Sequence, residues 1–261
     1  MLGAIAGDVI GSVYERSPTK RTDFPLFHRF SRFTDDTVLT VAIAQAILEH
    51  RDYGSTLKSF GRRYPDAGYG GSFRRWIFEP TVKPYNSWGN GAAMRVSPIG
   101  FAFESSAAVL LEAARSTEVS HNHPEGTKGA QATALAVFLA RKGASKEAIR
   151  DTITRQSGYD LTSTVDEIRP NYKFDVSCQG SVPQAIIAFL DSRDYADAIR
   201  KAISLGGDSD TLACIAGGIA GAFYGGVPEE IATEVVARLP HEFLDIITRF
   251  REAYPIQRRE P

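Results

Sequence analysis

The chain has 261 residues, of which 43% are hydrophobic and 23% charged, with a net charge of −1 at neutral pH. That composition supports a sizeable core, and the length fits one large domain, so a single domain over residues 1–261 is expected. The near-zero charge gives no electrostatic case for nucleic acid or an anionic membrane as the main partner, and no run of 18 or more apolar residues is available to span a bilayer.

Only two cysteines are present, Cys178 and Cys214, which excludes a disulfide framework and fits a reducing cytoplasm. The N-terminal stretch lacks a basic region and already carries Asp8, so it makes a poor signal peptide.

In chain order, residues 3–14 read as a helix with Gly3, Gly7 and Gly11 on one face, spaced for another backbone to approach closely. The spacing also puts Asp8 and Glu15 on one helix face, seven residues apart. Residues 16–33 read as a loop with scattered aromatics. A helix over about 35–50 is apolar nearly all round and therefore buried. A shorter one spans 54–64 and stops at Pro65. Residues 66–92 form a Gly-, Ser-, Asn- and aromatic-rich stretch with a short helix at 72–79; loops of that length and composition tend to be functional.

Helices are then expected at 93–97, 104–119, 126–142 and 145–156, followed by an irregular stretch over 157–179. A helix over 181–191 would hold Pro183 in its first turn, where no backbone donor is needed. The remaining helices fall at 194–204, 209–224, 229–238 and 241–252. No convincing alternating strand is present, so the fold class is all-α.

Two stretches carry chemistry. Thr34-Asp35-Asp36 opens the buried second helix, and no Lys or Arg occurs between Arg32 and Arg51. Gly206-Gly207-Asp208-Ser209-Asp210-Thr211 opens another very apolar helix, with Asp208 or Ser209 as its N-cap, and no Lys or Arg occurs between Lys201 and Arg238. A buried carboxylate without a partner is costly. Two acid-plus-threonine clusters, each lacking a local cation, therefore need a shared counter-charge. Thr34, Asp35, Asp36, Asp208, Asp210 and Thr211 offer hard oxygen ligands of the kind that suit Mg2+, Mn2+ or Ca2+ and not zinc, and four converging carboxylates would hold two such ions, Mg2+ or Mn2+ by preference. The plain alternative is two helix starts with capping acids.

Other features are weaker alone. Ser87-Trp88-Gly89-Asn90-Gly91 combines glycines that let backbone N–H groups reach an anion with an aromatic that can stack. Arg95 is either a phosphate ligand or half of an ion pair. His121 and His123 flank Asn122 ahead of Pro124, the usual layout of a loop entering a helix.

Taken in order, Thr-Asp-Asp at 34–36, Gly-Gly-Asp-Ser-Asp-Thr at 206–211, Gly-Asp-Val-Ile-Gly-Ser-Val-Tyr-Glu at 7–15, Trp-Gly-Asn-Gly-Ala-Ala-Met-Arg at 88–95 and His-Asn-His-Pro-Glu-Gly at 121–126 resemble the ADP-ribosylglycohydrolase family over nearly the whole chain. The resemblance implies a compact orthogonal helical bundle and a metal-dependent hydrolase. Such an enzyme would release ADP-ribose by cleaving the bond from C1″ of the distal ribose to a nitrogen or oxygen.

Glu15 matches the family's catalytic glutamate, with Asp35 or Asp36 as the other acid–base candidate, and Asp8 is read as structural. Ser87, Trp88, Gly89, Asn90 and Gly91 would line the ADP-ribose pocket, and His121, with His123 as the alternate, would touch substrate. The partners would be ADP-ribosylated acceptors and ADP-ribose, met by a monomer. Two rivals remain: an inactive ADP-ribose-binding or crystallin-like protein, and a two-metal nucleotide phosphohydrolase.

Overall fold

The computed structural model describes residues 1–81 and 83–255; Val82 in the expected long loop, and residues 256–261 of the expected domain, lie outside the described residues. The elements are α1 (Leu2–Gly11), α2 (Asp35–Leu48), α3 (Tyr53–Arg63), α4 (Gly71–Phe78), a one-turn 3-10 helix (Asn90–Ala92), α5 (Ser97–Ala102), α6 (Ser106–Glu118), α7 (Pro124–Arg141), α8 (Lys146–Ser157), α9 (Val165–Ile168), α10 (Cys178–Leu190), α11 (Tyr195–Ser204), α12 (Ser209–Phe223), α13 (Glu229–Val236) and α14 (His241–Ala253). No strand forms among the described residues; one isolated antiparallel bridge pairs Gly89 with Ser177.

The centre is the α1–α12 pair. A Cβ built at Gly11 would lie 2.5 Å from the Ser209 carbonyl oxygen, and one at Gly3 or Gly7 would overlap the carbonyl of Gly217 or Ala213. The glycine face of α1 thus lies directly on the α12 backbone. The Tyr195 hydroxyl of α11 donates to the Gly3 carbonyl at 2.7 Å and closes one side. Around this pair, α2, α7 and α10 are buried over most of their surface. One apolar cluster runs from Met1 to Phe250.

Capping side chains set most helix starts, as their residue types dictate. Asp52 accepts from the Ser55 N–H at 2.7 Å, Asp194 from the Asp197 N–H at 2.8 Å, and Thr164 with Glu167 forms a complete capping box.

Several expectations are corrected. The first helix stops at Gly11, where Ser12 Oγ bonds back to the Val9 carbonyl and the Tyr14 N–H to that of Gly11. The Tyr14 ring then leaves to pack on Phe24 at 4.7 Å, so Glu15 stands in a turn and shares no helix face with Asp8. The expected helix at 93–97 is replaced by the 3-10 turn and the separate α5, which carries Pro98 at its start. Helix α10 begins three residues early because Ser177 caps it, accepting from the Gly180 N–H at 3.0 Å. Pro183 therefore sits inside that helix and not in its first turn. The four-residue α9 was not expected.

Candidate active site

The α1–α12 contact lays the start of α12 beside the end of α1, and α2 completes the site. Asp8 of α1 is fully buried. Its carboxylate accepts from the Thr34 N–H at 2.9 Å, the Thr34 hydroxyl at 2.6 Å, the Thr37 N–H at 3.1 Å and the Thr37 hydroxyl. Four donors on one carboxylate tie the first turn of α2 to α1, which is the structural role expected of Asp8. Thr34 is the N-cap of α2, accepting from the Asp36 N–H at 3.3 Å.

The two acid clusters meet. The Thr211 hydroxyl donates to Asp36 Oδ2 at 3.3 Å, across 175 residues of sequence. Carboxylate oxygens of Asp8, Asp36 and Asp210 lie within 4.8 Å of one another, and so do those of Glu15, Asp208 and Asp210. Asp210 belongs to both groups, so the centre consists of two adjoining oxygen sets with one shared member. Asp35 belongs to neither; it is half-buried on the cavity wall, with Gly68 packed against its Oδ1. Asp208 holds the N-cap position of α12 without capping it. Its Oδ2 instead accepts from Asn90 Nδ2 at 2.7 Å.

The electrostatics show the missing counter-charge in space as well as in sequence. Among the described residues, no Lys or Arg makes an ion pair with Asp8, Asp36, Asp208 or Asp210. Burial, followed by the neighbouring carboxylates, pushes Asp35 up to about 8 and both Asp36 and Asp210 well above the usual carboxylate range. Burial raises Asp8 to about 6 against the pull of its Thr34 and Thr37 donors. Glu15 is raised by burial and then by Asp208, with Arg16 and Arg32 opposing. Asp36 Oδ1 is buried and has no hydrogen-bond partner. An orphaned carboxylate oxygen amid mutually repelling acids and hydroxyls is a donor set that fits hard divalent cations.

These groups floor a cavity of about 1050 Å3 that opens to solvent. One wall is the 87–91 loop. It is pinned by the Asn90 N–H to the Val176 carbonyl at 2.8 Å and by the Cys178 N–H to the Trp88 carbonyl at 2.9 Å. Ser87, Trp88, Gly89, Asn90 and Gly91 all line the cavity, but the Asn90 side chain is turned toward Asp208. His121 lines it too, whereas His123 caps α7 by accepting from the Glu125 N–H at 3.1 Å. Arg95 forms no ion pair among the described residues; it is fully buried and borders the cavity wall.

Sequence reasoning missed the rim. Beside the expected Trp88, Phe30, Phe174 and Val176 are exposed around the mouth; the aromatics scattered through the two irregular stretches at 16–33 and 157–179 were the available signal.

An all-α scaffold with a carboxylate-rich, cation-poor centre on the floor of an open cavity has the layout of a helical hydrolase. The sequence profile of the family described as ADP-ribosylglycohydrolase matches residues 1–258. The chain belongs to the ADP-ribosylglycohydrolase family, whose members are glycosidic-bond hydrolases. It is 30% identical over 307 residues to the Homo sapiens ADP-ribosylhydrolase ARH3, covering 86% of this chain and 84% of that protein. It is 27% identical over 289 residues to the ADP-ribosylarginine hydrolase Tri1 of Pseudomonas putida (strain GB-1), covering 94% and 76%. A solved ADP-ribosylglycohydrolase-related protein complex superposes with a TM-score of 0.70 at 23% identity, over 97% of this chain and 96% of that one, and shares the fold. No helix among the described residues is long and apolar enough to cross a membrane.

Proposed function

We propose that the protein hydrolyses the bond from C1″ of the distal ribose to a nitrogen or oxygen of an ADP-ribosylated acceptor, releasing ADP-ribose, with two Mg2+ or Mn2+ ions as cofactors. The observation that carries this reading is the pair of oxygen sets sharing Asp210 at the floor of the cavity, next to the glycine-rich 87–91 loop. Thr34, Asp35, Asp36, Asp208, Asp210 and Thr211 are the residues that would hold the ions, Asp35 from the cavity wall outside the two sets, while Asp8, the remaining member of one set, braces α2 and Glu15, the remaining member of the other, is kept for the chemistry. Bound there, the ions supply Lewis-acid charge to the distal ribose and its reacting centre.

The chain's own residues do the rest. Ser87, Trp88, Gly89 and Gly91 present backbone and an aromatic face to the ADP-ribose, and Asn90 holds Asp208. His121 contributes from the adjacent wall. Glu15, in its turn at the cavity edge, is the general acid–base group; Asp35 and Asp36 are the alternates. It faces an oxocarbenium-like transition state. The same reading takes residues 1–261 as one domain and the protein as a monomer of a reducing cytoplasm, which light scattering and cell fractionation test.

The deciding experiment incubates the protein and Mg2+ with arginine-, serine- and base-linked ADP-ribose and with O-acetyl-ADP-ribose, and identifies the products. Release of ADP-ribose from at least one substrate supports the proposal. AMP as the product assigns a nucleotide phosphohydrolase, and binding without turnover assigns an inactive ADP-ribose-binding or crystallin-like protein.

A further inference from the structure

Arg95 is the largest buried charge that the reading above leaves unused. Its relative exposure is 0%, no acid pairs with it among the described residues, its Nε and Nη1 have no hydrogen-bond partner, and the Phe73 ring lies 5.9 Å from its guanidinium carbon. A buried cation held without an anion is costly. What it does make is a chain of contacts. Nη2 donates to the Ser116 carbonyl at 3.1 Å and to Ser120 Oγ at 2.9 Å, and Ser120 Oγ lies 2.8 Å from His121 Nδ1.

Proton counting fixes the direction of the last contact. A serine hydroxyl has one proton and two lone pairs, and Arg95 can only donate, so it occupies a lone pair. If His121 Nδ1 also carried a proton, it would occupy the second lone pair and leave the hydroxyl proton of the fully buried Ser120 unpaired. An unpaired buried donor bears the full desolvation penalty. If Ser120 donates to Nδ1, its hydroxyl proton is paired while Arg95 Nη2 occupies a lone pair, and the imidazole proton sits on Nε2.

The ring cannot readily turn away from this arrangement. Its centroid lies 5.6 Å from that of Tyr85 and 6.4 Å from that of Phe73, and the His121 N–H is held by the Thr117 carbonyl at 2.8 Å. The free end points at the loop: a Cβ built at Gly91 would lie 3.1 Å from Nε2, and one at Gly89 3.8 Å.

We infer that Arg95 and Ser120 are positioning residues that lock His121 as the neutral Nε2–H tautomer, making it a fixed hydrogen-bond donor to an oxygen of the ligand held by the 87–91 loop and not a proton acceptor. The identity of that ligand rests on the proposed function; the tautomer does not. Burial and then the Arg95 charge hold the imidazole well below its ordinary value, which keeps the ring neutral. Arg95 borders the cavity wall without solvent-exposed surface, and its Nη2 reaches His121 through Ser120.

Long-range 1H–15N correlation of the 15N-labelled protein reads the tautomer directly, with His121 assigned by the signal lost in His121→Asn. The expected spectrum has Nδ1 bare and Nε2 protonated. Ser120→Ala should relax it to a tautomer mixture and weaken ADP-ribose binding about 3- to 10-fold, the worth of one hydrogen bond, while Ser120→Thr, which keeps the hydroxyl, restores both. Arg95→Met, close in volume, should raise the pH at which His121 protonates. Should Ser120→Ala not fold, Ser120→Cys replaces it, with a weaker donor and an intermediate effect. A wild-type His121 protonated on Nδ1, or a Ser120→Ala spectrum and affinity equal to wild type, overturns the inference. If ADP-ribose does not bind the wild type at all, the substrate reading fails and the spectra alone decide the tautomer.

Discussion

At the residue scale the two proposed roles separate cleanly. Asp210 is the member common to both oxygen sets, so its loss should disable both sites where loss of Asp36 or Asp208 disables one. Titration calorimetry with Mg2+ is expected to detect no binding to Asp210→Ala and residual, single-site binding to Asp208→Ala; full affinity in Asp210→Ala would remove the shared centre. Glu15 is different in kind. It stands in a turn and not on a helix, with Arg16 and Arg32 opposing the burial and the Asp208 charge that raise its pKa. A general acid–base group is worth about 10²–10⁴-fold in rate, so Glu15→Gln should lower kcat by that order and leave ADP-ribose affinity nearly unchanged. Near-normal turnover would move the role to Asp35 or Asp36. Loss of binding together with turnover would make Glu15 a ligand-holding residue.

At the element scale, the legibility of this fold in its sequence follows the range of the interaction responsible. The starts of α2, α3 and α11, capped by Thr34, Asp52 and Asp194, fell within a residue of expectation, whereas the caps Thr164 and Ser177, inside an irregular stretch without helical periodicity, went unread. The acid clusters stood out because their missing cations could be counted along the chain. The end of α1 was not readable: Tyr14 leaves the helix for Phe24 and the Pro25 carbonyl, contacts that no local pattern encodes. Nor was the work of Asp8, whose donors lie 26 and 29 residues away, or of Asn90, whose partner lies 118 away. The glycine face of α1 was legible as a close-packing surface, and it gives a direct test. A Cβ at Gly7 meets the α12 backbone, whereas one at Gly71 meets nothing within 4 Å. Overpacking costs about 1–3 kcal/mol, which outweighs the gain of at most about 1 kcal/mol from removing a helical glycine. Gly7→Ala should therefore lower Tm by about 2–8 °C and Gly71→Ala should not lower it; equal melting temperatures would mean that α1 and α12 are not in backbone contact.

At the scale of the whole molecule, the buried acids of the site are a stability liability that the proposed cations would offset. Burial places Asp8 at about 6, and burial with neighbouring acids places Asp35 at about 8 in the folded protein, against about 3.9 for an aspartate in an unfolded chain. A group with a raised folded value binds its proton more tightly when folded. Its contribution to stability is therefore complete below about pH 4 and is lost as pH climbs through 6 for Asp8 and through 8 for Asp35. In the presence of a chelator, Tm is accordingly expected to fall between pH 5 and pH 8. Metal binding requires deprotonated ligands and stabilises only the folded state, so the Tm increment from Mg2+ should grow over the same interval. Asp36→Asn separates this account from a nonspecific salt effect. It removes the carboxylate with the orphaned oxygen, so the metal-free variant should melt above metal-free wild type at pH 8 while gaining less from Mg2+. Scanning calorimetry at pH 5, 6.5 and 8, with Mg2+ and with EDTA, reads all of these quantities. A Mg2+ increment that is the same at every pH, or an Asp36→Asn protein that gains as much from Mg2+ as wild type, would show that the buried acids carry their protons throughout and that the ion binds elsewhere.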